Sequence, residues 1–79
     1  MQIQSGLMWY DNSVRSTFAQ KLTEAAEAYQ HKFGKRANVC YVHPSDLPER
    51  AVAPEELLVE AELTILPHHF FLGVTGKGR

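Results

Sequence analysis

One uninterrupted stretch constrains this chain more than any other: residues 13–33 contain neither glycine nor proline, and their apolar side chains recur at helical spacing. Val14, Phe18, Leu22, Ala25, Tyr29 and Phe33 follow one another at intervals of three or four, which winds them into a single stripe. Arg15, Gln20, Lys21, Glu24, Glu27, Gln30 and His31 mostly face elsewhere. Asp11-Asn12-Ser13 offers side-chain oxygens to cap the first turn, and Gly34 suits a left-handed carboxyl cap. The spacing therefore predicts one amphipathic helix over 13–33. Its stability must come largely from packing that stripe against another surface.

The flanking segments supply the surface. Residues 3–10 alternate so that Ile3, Leu7 and Trp9 share one side of a strand and Met8 and Tyr10 the other. Asn38-Val39-Cys40-Tyr41-Val42-His43 reads as a second strand, stopped by Pro44, which has no ladder donor. Strand, helix, strand is then the opening unit; a right-handed crossover would set the two strands parallel, with the helix on one face.

Pro44, Pro48 and Pro54 punctuate a stretch without an apolar stripe, expected to be an ordered loop with one helical turn near 45–50. Leu57, Val59, Ala61, Leu63 and Ile65 then alternate with Leu58, Glu60, Glu62, Thr64 and Leu66, a pattern that predicts a third strand with one face exposed. Antiparallel pairing with the second strand is favoured, because such pairs are commoner and the alternation suits a sheet with one wet face. Pro67-His68-His69 bends the chain into a last strand, Phe70-Phe71-Leu72-Gly73-Val74, and Gly76-Lys77-Gly78-Arg79 forms a basic tail.

The expected fold is an α/β (α+β) two-layer sandwich, with one long helix on a mixed sheet of about four strands in the order β-α-β-β-β. Residues 1–75 form a single domain and 76–79 a flexible tail. At 79 residues and 44% hydrophobic content, a chain buries only about 60% of its unfolded surface. One helix also covers only part of a four-stranded sheet. The residues pointing away from it need another cover, and a second copy is the simplest, so a homodimer is expected. An unrelated protein partner would meet the same need.

Charge narrows the partners. Between residues 46 and 62, Asp46, Glu49, Glu55, Glu56, Glu60 and Glu62 stand against Arg50, a balance of -5 that leaves +4 elsewhere. Lys32, Lys35 and Arg36 with Lys77 and Arg79 form a small basic group, but cations after a helix complement its dipole, and an isoelectric point near 6.4 disfavours nucleic acid. A lone cysteine makes no internal disulfide, and no apolar run approaches the roughly 18 residues that span a bilayer. The expectation is a cytoplasmic chain with no membrane association.

Two constellations could carry chemistry. Cys40, His43, His68 and His69 have the donor types that bind zinc, although residues 40 and 43 of a regular strand point to opposite faces. Asp11 and His43 both fall beyond strand carboxyl ends, where an aspartate could orient an imidazole base. Asp11 is also wanted as a helix cap. His68 joins them only if the third strand runs parallel to the second; otherwise it lies roughly 25 Å away. Cys40 as a nucleophile needs an electropositive, accessible setting, which a central strand does not supply. Residues 73–78, Gly-Val-Thr-Gly-Lys-Gly, lack the following helix of a phosphate loop. Trp9, Tyr10, Tyr41, Phe70 and Phe71 without interleaved cations suit a core or protein interface better than a base-stacking platform.

The sequence thus favours a non-enzymatic module without a cofactor, self-associating through its sheet. A metal-binding or hydrolytic protein built on His43 with His68 or His69 is the alternative, and a weak nucleic-acid binder ranks third.

Overall fold

The fold is seen in a computed structural model, which describes residues 3–50, 53 and 57–75. The expected tail at 76–79 lies outside them. Strand β1 (Ile3–Tyr10), helix α1 (Phe18–Phe33), β2 (Val39–Val42), β3 (Leu58–Ala61) and β4 (His69–Thr75) follow in chain order. The strands form one mixed sheet ordered β1-β4-β2-β3, with α1 against one face, as the patterning predicts.

The helix begins later than its capping residues suggest. Asp11 Oδ1 accepts from Ser13 N–H at 2.9 Å, and Ser13 Oγ accepts from Arg15 N–H at 3.2 Å. These two-residue turns consume the oxygens expected to cap position 13 and hold the chain out of helix. Val14 is left 96% exposed, off the buried stripe. Thr17 is the true cap: its Oγ1 accepts from Gln20 N–H at 3.1 Å while Gln20 Oε1 accepts from Thr17 N–H at 2.8 Å. At the other end Gly34 takes φ 75° and donates to Gln30 O at 2.8 Å, the left-handed exit its lack of a side chain permits. Leu22, Ala25 and Tyr29 carry the buried stripe.

β1 and β2 are both antiparallel to β4, hence parallel to each other, and β4 is inserted between them. The third strand corrects the expected pairing. β3 runs parallel to β2, with Val39 opposite Leu58 and Val42 opposite Ala61. Parallel neighbours need a long crossover. The stretch from His43 to Leu57 provides it, opening with a 3-10 turn at Pro44–Asp46 and lodging Leu47 and Ala53 against the core. The alternation of 57–66 is also cut short: Ile65 N–H bonds Glu62 O at 3.1 Å and His69 N–H bonds Leu66 O at 3.2 Å, so the chain turns after Ala61. Ile65 is buried in that turn, while Leu63 and Leu66 are exposed.

The core lies between α1 and the facing sheet residues. Leu22, Ala25 and Tyr29 meet Cys40, Val42, Leu57, Phe70 and Leu72, with Leu7, Trp9 and Val59 packed at the margin. Among the described residues no helix is long and apolar enough to cross a membrane.

Candidate functional site

Because β3 is parallel to β2, one end of the sheet gathers the residues after β1, β2 and β3 and the start of β4. Asp11, His43, His68 and His69 all belong to that end. Asp11 N–H donates to His68 O at 3.0 Å, and Asp46 Oδ2 accepts from His68 N–H at 2.6 Å. Asp46 Oδ1 lies 3.9 Å from His68 Nδ1. His68 adopts φ 68°, a left-handed conformation costly for a residue with a β-carbon, and the carboxylate of Asp46 helps hold it there. Asp11, Asp46, His68 and Lys21, with Phe18 and Phe70 behind, line a hollow of about 90 Å³.

The rings do not turn toward one another. His43 Nδ1 accepts from Ser45 N–H at 3.0 Å and lies 2.8 Å from Ser45 Oγ, capping the 3-10 turn. His69 Nδ1–H donates to Pro67 O at 2.9 Å, and its ring rests 4.9 Å from that of Tyr10. The Asp11 carboxylate is engaged with Ser13, so it does not orient His43. Cys40 sits on the opposite, helix-covered side, fully buried, and burial pushes its thiol up to about 12. That is the reverse of what a nucleophile or thiolate ligand requires. Among the described residues no group of three or more His, Cys, Asp and Glu is arranged to hold a metal. The parity objection to a Cys40–His43 pair is visible in the fold. What the sequence does not show is Asp46, which reaches His68 only because the crossover brings two distant segments together.

The aromatic candidates divide between the two faces. Trp9 pairs with Phe70, and both belong to the helix-covered side; Phe70 is 2% exposed. The Trp9 indole N–H is buried there without an acceptor. One residue along, Met8 pairs with Phe71, Phe71 with Tyr41, and Tyr41 with Glu60, a row across all four strands on the outer face. Tyr10 pairs with His69 on the same side. Met8, Tyr10 and Leu58 are each at least half exposed. Of the interface candidates on this face, Tyr10 is exposed and Tyr41 and Phe71 are half-buried. Met8 and Leu58, absent from the sequence-derived interface set, join them by the period-two pattern of their strands.

The edges of the sheet differ as well. β3 is short, carries Glu60 and runs into Glu62. β1 spans Ile3–Tyr10 with no charged residue and no proline, and among the described residues no strand pairs with its outer side. Its register with β4 shifts once, between Ile3 and Gly6, and is regular from Gly6 to Tyr10. Of the expected basic group, Lys32, Lys35 and Arg36 are exposed around the end of α1, while Lys77 and Arg79 lie outside the described residues. No protein-family model matches this chain, and no curated protein or solved structure matches it.

Proposed function

We propose that this chain is a non-enzymatic interaction module that associates with a second copy of itself through its sheet. The carrying observation is the outer row Met8–Phe71–Tyr41, apolar on three adjacent strands and turned away from α1. Apolar surface of that kind, continued by Tyr10 and Leu58, favours association, which shields the part of it nearest the contact. The side chains able to do chemistry support the same reading by their engagements: His43, His69 and Asp11 hold turns, and Cys40 is sealed in the core.

The alternative hydrolytic or metal-binding reading retains one supporting feature, the Asp46–His68 contact beside Asp11 and Lys21. It lacks a third convergent metal ligand among the described residues.

Sedimentation velocity across the micromolar range tests the proposal. A dimer whose population rises with concentration is expected. A sedimentation coefficient that stays at the monomer value throughout would remove self-association as the role of the sheet.

A further inference from the structure

The open side of β1 specifies how two copies would meet, an inference that rests on the self-association just proposed. Asp11 N–H bonds His68 O, and these residues continue the β1–β4 register in which Tyr10 faces His69. In an antiparallel ladder such a bond marks a pair whose main-chain groups point at each other, and the orientation alternates at every residue. Trp9 and Leu7 therefore direct their N–H and C=O groups to β4. Tyr10, Met8 and Gly6 direct theirs outward, to the unpaired side.

Only one antiparallel register of β1 on its own copy uses all three outward residues within the regular segment. It places the two-fold axis at Met8. Met8 then exchanges both backbone bonds with Met8 of the second copy, and Tyr10 does so with Gly6 of the second copy, in both directions. Shifting the axis to Leu7 pairs Tyr10 with the irregular segment before Gly6, and shifting it to Trp9 runs Gly6 off the strand end. Side chains agree with the Met8 register. On the outer face Tyr10 would stand at a glycine already overlaid by the Phe71 ring, whose Cε1 comes within 2.7 Å of where a β-carbon on Gly6 would be. On the helix face Leu7 meets Trp9 of the second copy.

Charge and size select this edge and this occupant. β1 carries no charge to repel itself, whereas β3 would bring Glu60 and Glu62 toward their own copies. The outer face alone is small: four strands by five residues is about 19 Å by about 17 Å. Even doubled for side-chain relief, that is about 650 Å² against the roughly 800 Å² per partner of a standard interface. Directed main-chain bonds supply what area does not. We infer that β1 is the dimer joint, pairing antiparallel with β1 of a second copy about Met8 to make one continuous sheet.

Met8→Pro removes an outward N–H, which the folded monomer does not use, so the monomer sheet should persist while the joint is lost. Met8→Lys sets like charges together at the axis without touching the backbone. Both should weaken dimerisation at least about a hundredfold by sedimentation, with unchanged far-ultraviolet circular dichroism. In the native dimer, amide hydrogen exchange at Met8 and Tyr10 should be slow, and in the Met8→Lys monomer fast. A dimer that withstands Met8→Lys, or one whose Met8 and Tyr10 amides exchange freely, overturns the joint and leaves self-association standing. A native chain that never dimerises overturns both.

Discussion

Two neighbouring rows of the same sheet, offset by one residue on every strand, have opposite fates. Leu7, Leu72, Cys40 and Val59 face α1, and Leu72 and Cys40 are wholly buried. Met8, Phe71, Tyr41 and Glu60 face away, and Met8 is half exposed. Over three strands both rows are apolar, so hydropathy does not separate them. Position under α1 does. Among the described residues α1 is the single cover, and the row it misses keeps apolar surface on the open side of the sheet.

The largest effect expected from this contrast is a difference in truncation cost. Leu72→Ala, in the centre of the covered row, should destabilise the chain by about 2–5 kcal/mol, from lost transfer energy and the cavity left among Leu7, Cys40 and α1. Tyr41→Ala, one residue off on β2, loses cross-strand contacts with Phe71 and Glu60, worth about 0.2–1 kcal/mol each. Urea denaturation of the two variants measures both. Equal losses would break the comparison, because they would mean that the outer row is as deeply buried in solution as the inner one.

A middle-sized effect is expected at Gly6, where the outer row is already crowded. A β-carbon there would lie 2.7 Å from Phe71 Cε1 and 2.8 Å from Leu72 O. The ring can swing aside; the carbonyl belongs to the β4 backbone and cannot. Gly6→Ala should cost roughly 1–3 kcal/mol by overpacking, read as a lowered urea midpoint. An unchanged midpoint would show that β1 moves freely against β4, and would weaken the argument that its outward groups are held in register.

How much of this was legible in the sequence depends on the range of the interaction. The stripe of α1, the exit at Gly34 and the alternation of Leu7 and Trp9 with Met8 and Tyr10 are local periodicities, and all appear in the fold. The start of α1 departs from the capping signal at 11–13 because Asp11 and Ser13 spend their oxygens on two-residue turns, and the Thr17–Gln20 box competes for the same role. The direction of β3 does not follow from its pattern, because alternation reports which faces are wet, not which neighbour a strand pairs with. That choice is made by the crossover after His43. The Asp46–His68 contact depends on the same choice, so no spacing in the chain announces it.

A further expected effect lies in titration, and it sharpens the contrast between rows at a single pair of neighbours. Burial raises the Cys40 thiol from 9.0 to about 12. The folded chain therefore holds this proton more tightly than the unfolded chain. Below pH 9 both states keep it, and the group contributes its full share to stability; between pH 9 and about 12 only the unfolded chain releases it, so stability falls as pH rises. Lysines and tyrosines titrate in the same window, but Cys40→Ala isolates the thiol: its packing cost is the same at every pH, so its denaturation midpoint should decline less steeply than the parent's above pH 9. The same burial should make Cys40 react with a thiol reagent only through opening of the sheet, at least about a hundredfold more slowly than a cysteine placed by Tyr41→Cys in the Cys40→Ala background. Comparable rates at the two positions would mean that α1 does not seal its side of the sheet, and the distinction between a covered and an open face would fail at its central strand.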